Sequence, residues 1–152
     1  MNYKYIVRCI LCVTLLLMVA LPVFAQDDIA KHRACAHCGM DRKAFAYSRM
    51  LIVYADGSQA GLCSLNCAVT ELKANQAKKV VTLLVADRNR HELLDVTKVY
   101  WVMGGRISGV MTENPKWAFA TLDAAQKFVR DSGGKILSWD EVLTTAIKEA
   151  SL

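Results

Sequence analysis

Apolar and polar positions follow two rhythms along this chain, and the rhythms come round twice. Residues 26–34 (Gln-Asp-Asp-Ile-Ala-Lys-His-Arg-Ala) are mostly polar and read as a flexible leader. Residues 45–54 carry Tyr47, Met50, Ile52 and Val53 and predict a strand. Asp56-Gly57 predicts a hairpin turn, because both residues tolerate the positive φ angles that tight hairpins need. Residues 59–62 are then the return strand. Ser64 offers a side-chain oxygen to cap a helix on which Leu65, Ala68, Val69 and Leu72 recur at helical spacing. The apolar run 80–86 predicts a buried strand, and the polar stretch 87–92 a connecting turn.

The second half repeats the order. Residues 97–103 predict a strand, Gly104, Gly105 and Gly109 mark a loop, and 117–120 is a return strand. Thr121 caps a helix with Leu122, Ala125, Phe128 and Val129 on one face; Gly133-Gly134 stops it, and 135–137 is the last strand. Ser64-Leu65-Asn66-Cys67-Ala68 aligns with Thr121-Leu122-Asp123-Ala124-Ala125 at a spacing of 57 residues. A closing helix starts at Ser138, where Glu141 completes a capping box. The pattern predicts an α+β fold of two tandem ββαβ units, 35–92 and 93–152, the second ending in that helix.

Residues 1–25 have the pattern of an export signal. Lys4 and Arg8 precede an apolar run at 10–21, and Pro22-Val23-Phe24-Ala25 places small residues before a cut at Gln26. The run is shorter than the roughly 20 residues of a membrane span. A cleaved, exported protein without a stable membrane span is expected, periplasmic or secreted; an uncleaved N-terminal anchor is the alternative. Neither Cys9 nor Cys12 follows the pattern of a lipid-attachment site. Without the signal the net charge falls from +5 to +3 and the basic residues are scattered, so nucleic acid is not an expected partner.

Four cysteines remain, Cys35, Cys38, Cys63 and Cys67. An oxidising compartment would favour two disulfides, yet the close pairs C-x2-C and C-x3-C, separated by 24 residues, look more like ligands. A knuckle, a hairpin and a helix N-terminus are the parts of a treble-clef-like metal site. Cys63 and Cys67 lie at the helix start, where the backbone dipole is expected to ease their ionisation. Four thiolates satisfy structural zinc. Methionine tilts the balance towards Cu(I), a soft ion that accepts thioether. Met40 closes the segment Cys35-Ala36-His37-Cys38-Gly39-Met40, and Met103 and Met111 flank the glycine-rich loop of the second unit. Met50 reads as core, Met103 as either core or ligand, and His37 as secondary to the thiols. His32 and His91 read as solvated, and Trp101, Trp117 and Trp139 as packing. No nucleophile elbow, phosphate-binding loop or HExxH motif is present, so no enzyme activity is expected.

The CxxCGM motif, the Asp56-Gly57 hairpin and Leu62-Cys63-Ser64-x-x-Cys67 resemble the nitrous-oxide-reductase accessory proteins of the NosL family. So do Gly109-Val110-Met111, Trp117-Ala118-Phe119 and Gly133-Gly134-Lys135. The resemblance implies two ββαβ units related in fold to organomercurial lyase, and one Cu(I) bound through Cys and Met. It implies a copper-exporting membrane transporter as donor and nitrous-oxide reductase, or another extracytoplasmic copper enzyme, as client. Cys38, Met40 and Met111 are the ligands it points to, with Cys35, Cys63 and Cys67 as additional thiols. Many such proteins are lipid-anchored, which this chain does not match. The Cys63/Cys67 pair also resembles TRASH-type modules, so a four-cysteine zinc interaction module is the alternative.

Overall fold

The first sheet grows from the hairpin. Met50–Tyr54 (β1) and Gln59–Leu62 (β2) pair antiparallel with Ile52 opposite Ala60. Gly57 takes φ 81°, and the Asp56 carboxylate accepts from the Ser58 N–H and hydroxyl, closing the turn. The computed structural model describes residues 27–150, so the export signal lies outside the described residues. Leu65–Ala74 (α2) follows, capped by Ser64 as the sequence predicts. Val80–Ala86 (β3) returns along the other side of β1, and the sheet order is β2-β1-β3-β4, with Leu93–Asp95 as β4.

The fourth strand, Leu93–Asp95 (β4), is one the sequence pattern misses. The expected polar turn is present, and the Asp87 carboxylate holds it by accepting from the Asn89 and Arg90 N–H groups. That turn is tight enough to fold Leu93–Asp95 back onto β3.

The second unit repeats the first. Tyr100–Met103 (β5), Lys116–Phe119 (β6), Leu122–Ser132 (α3) and Lys135–Leu137 (β7) form a sheet of order β6-β5-β7, again with the first strand central. Thr121 caps α3, and Trp139–Glu149 (α4) opens with the predicted Ser138/Glu141 capping box. The two faces of β5 serve two cores. Val102 packs with Trp117, Phe119 and Ala125 beneath α3, whereas Trp101 joins the first unit's core and stacks on Trp139 at 5.4 Å.

Two expectations are corrected. The leader is not a loose strand of polar residues: Asp27–Lys31 (α1) is a short helix, and Asp28 is buried. Its carboxylate pairs with Arg42 at 2.7 Å and with Arg49 at 3.0 Å, both guanidiniums being fully buried. The first strand also begins at Met50 rather than at residue 45. Residues 43–48 turn instead, because Arg49 must reach inward to Asp28 and to the Ala46 carbonyl. A buried charge is tolerated only when paired and hydrogen-bonded, and Arg42 meets that demand by also donating to the carbonyls of His32, Met50 and Leu62. The last of these immediately precedes Cys63. Among the described residues no helix is long and apolar enough to cross a membrane.

Candidate metal centre

The knuckle is built by local backbone bonds. Cys35 donates its N–H to the Met40 carbonyl at 2.8 Å, and Gly39 donates to the Cys35 carbonyl at 2.9 Å. Gly39 sits at φ 77°, a left-handed angle that lets the chain reverse between Cys38 and Met40. An Ala34–Asp41 bridge closes the base of the loop, and the Ala36 N–H donates to Gly61 O at 2.9 Å, fastening the knuckle to β2. Glycine is required at 61: a β-carbon there would lie 2.5 Å from His32 Cβ and 2.7 Å from the Arg42 guanidinium.

β2 then delivers Cys63, and α2 presents Cys67 in its first turn. The Ser48 hydroxyl holds the Cys63 carbonyl at 2.8 Å. The four sulfurs converge, all within 4.8 Å of one another, and all four cysteines are free thiols. Cys38 Sγ is 3.5 Å from Cys63 Sγ, which is 3.6 Å from Cys67 Sγ. Metal–sulfur bonds of 2.3 Å in a tetrahedron put sulfurs about 3.8 Å apart, so the cluster already has the size of a coordination shell. Cys35, Cys63 and Cys67 are buried, and only Cys38 is half-buried. The sulfurs therefore form a pocketed cluster with Cys38 at its outer side.

Ionisation also departs from the expected pattern. The Cys63 thiol is pushed well above its ordinary range, first by its contact with Cys67 and next by burial, despite its place at the helix start. Burial is the main cause that pushes Cys38 up to about 11, with Cys35 and Cys63 adding to it. Burial opposes ionisation of Cys35 as well, but hydrogen bonds from the backbone of Cys38, Cys63 and His37 outweigh it and lower that thiol. Of these three, Cys35 is thus the one most prepared to carry negative charge.

Of the methionines, Met40 is half-buried and packs against the core that holds the cysteines. Met111 is half-exposed, and with Cys67 and the exposed His37 it lines a small cleft of about 140 Å³. Met50 is wholly buried core, as expected. Met103 ends β5 opposite Lys116 and Lys135 and, unlike Met40, does not pack against the core cluster that holds the cysteines.

The sequence reading overlooks a polar cage beside that cleft. Glu149, on α4, accepts from Asn66, Thr112, Asn114 and Lys116 at 2.7–2.9 Å. Burial works against its charge, but these donors hold its carboxyl down at about 2. Asn66 and Glu149 lie 83 residues apart, so no local pattern signals their meeting.

The fold is one already seen. A solved structure of the copper chaperone NosL from Shewanella denitrificans superposes with a TM-score of 0.56 at 19% identity, covering 80% of this chain and 93% of that one. No curated protein matches this sequence. The NosL family profile matches residues 26–147, which takes in the knuckle, both sheets and most of α4, and the chain belongs to the NosL family.

Proposed function

We propose that this protein is an exported Cu(I) chaperone, a binding protein and not a catalyst, that carries copper to an extracytoplasmic copper enzyme such as nitrous-oxide reductase. The observation that carries the reading is the convergence of four free thiols within 4.8 Å, with the Met40 thioether packed against the same core. An all-sulfur set suits a soft monovalent ion. The similar Shewanella denitrificans protein is named a copper chaperone, which supports the same assignment.

In this reading Cys38, Met40, Cys35, Met111, Cys63 and Cys67 are the ligand pool, and copper is cargo. Cys38, the least buried of the thiols, is where an incoming sulfur ligand of the client meets the ion. The client's thiolate or thioether bonds to copper as a bond from Cys38 breaks, and the released thiolate takes a proton from water. The ion stays Cu(I) throughout. A membrane copper exporter is the donor, and residues 1–25 direct the chain out of the cytoplasm.

The test is metal loading under reducing conditions. One Cu(I) per chain, retained against a competing chelator and lost in the Cys38→Ser, Met40→Leu protein, is the expected result. Full retention in that double variant would overturn the ligand assignment. A second reading, a four-cysteine zinc interaction module, draws on the tetrahedral size of the sulfur cluster. Stoichiometric zinc with no uptake of Cu(I) would favour it.

A further inference from the structure

Met111 stands in a loop that has been forced into place. Its φ of 56° is in the left-handed region, which a side chain with a β-carbon disfavours. Open space lies on two sides of it. One cleft, about 140 Å³, has Cys67 and His37 in its walls; the other, about 370 Å³, runs past Glu113 and Asn114. A half-exposed side chain between two clefts, on a disfavoured backbone angle, has both room and reason to move.

What opposes that movement is the Glu149 cage. One carboxylate accepts from Thr112 and Asn114, on either side of Glu113 in the Met111 loop, from Lys116 at the start of β6, and from Asn66, the neighbour of Cys67 on α2. Lys116 also donates to Thr112 Oγ1 and to the Asn114 carbonyl, so the loop is gripped from both ends. Lys116 reaches Asn66 Oδ1 on α2 too, at 3.3 Å, and Glu149 is the anion that holds lysine, loop and α2 together.

We propose that Glu149 is a positioning residue, a latch that holds the Met111 loop over Cys67 and thereby governs a second approach to the sulfur cluster, separate from the one at Cys38. With the latch closed, Met111 covers the cleft beside Cys67. With it released, the loop relaxes from its left-handed turn and Cys67 opens to small reagents and to an incoming ligand. Its role in releasing copper rests on the chaperone reading above; the latch itself does not.

The test uses Glu149→Ala and Glu149→Gln, since glutamine keeps the shape but turns an N–H₂ donor towards a cage of donors. In the metal-free reduced protein, alkylation by iodoacetamide is followed separately at Cys67 and Cys35 by mass spectrometry. Global loosening exposes both thiols alike, as a Val142→Ala control at a buried position near the start of α4 would show. Release of the latch raises the Cys67-to-Cys35 ratio, by about tenfold if a single charge-assisted hydrogen bond is the controlling loss. Glu149→Asp, which keeps the charge, restores part of the protection. An unchanged ratio in both Glu149 variants overturns the latch. In a second arm, the Cu(I)-loaded proteins are challenged with a bathocuproine chelator, and the Glu149→Ala protein is expected to release its ion about tenfold faster on the same ground. A raised ratio with an unchanged release rate overturns the role in copper exit. If the wild-type protein takes up no Cu(I), the chaperone reading fails, and the alkylation ratio still decides the latch.

Discussion

The Asp28 carboxylate lies 2.7 Å from the Arg42 guanidinium and 3.0 Å from that of Arg49, joining the short N-terminal helix to the two arginines that flank the turn between knuckle and first strand. Arg42 in turn holds the Leu62 carbonyl, one residue before Cys63. Removing Asp28 leaves two buried guanidiniums without an anion. Asp28→Ala should lower unfolding free energy by about 3–5 kcal/mol, measured by urea titration of the metal-free protein. It should also loosen the Cys63 end of the cluster, seen as faster alkylation of Cys63 than of Cys67.

Gly61→Ala tests the same joint by crowding it. The added methyl would meet His32 Cβ at 2.5 Å and the Arg42 guanidinium at 2.7 Å, neither of which is free to yield. Overpacking of this kind costs about 1–3 kcal/mol. A lowered thermal midpoint is expected, with the knuckle's Ala36 N–H exchanging faster with deuterium because its bond to Gly61 is disturbed.

Metal uptake should be proton-linked through Cys38. Its thiol, pushed up to about 11, is protonated at neutral pH in the metal-free protein and must lose that proton to bind. Affinity for a thiophilic ion should therefore rise with pH up to that value. Alkylation of Cys38 should climb about tenfold per pH unit over the same range, because the thiolate is the reacting form.

Glu149 should make the fold sensitive to acid. Its carboxyl is lowered from 4.5 to about 2, so its contribution is complete above the ordinary value and is lost as pH falls from there towards about 2. The linked stabilisation is at most about 3 kcal/mol, reduced by the burial that pulls Lys116 downward. Urea titrations at pH 7 and pH 3 should show a larger loss of stability in the native protein than in Glu149→Gln, the remainder coming from other lowered carboxylates such as Asp28 and Asp41.

Where one short stretch decides its own conformation, the sequence was a good guide. Ser64, Thr121 and the Ser138/Glu141 pair cap the helices they were expected to cap, and Asp56-Gly57 turns the hairpin. The cysteine spacing likewise announced the cluster, because a knuckle and a helix start joined by one hairpin can hardly avoid meeting. What the pattern hid depends on distant partners. Asp28 reads as one polar residue in a polar leader until Arg42 and Arg49 fold around it. The leader is therefore helix, and β1 starts late. The ionisation of Cys63 was misread for a related reason: the helix dipole is visible in sequence, whereas burial against another thiol is not.

Arg88 bears on how the proposed cargo would leave. Its guanidinium lies over the rings of Tyr47, Trp117 and Phe128, 4.5 Å from Trp117, while its N–H donates to Ala118 O and the neighbouring Asp87 carboxylate accepts from the Ala120 N–H. A residue of the first unit is thus clasped by strand and helix of the second. Swinging the units apart like the halves of a clamshell would strip the cation of the two aromatic faces that the second unit supplies, Trp117 and Phe128, and break two backbone anchors at once. If the sulfur cluster hands over an ion as proposed, it does so with the body of the protein closed, through displacements no larger than a side chain or a single loop.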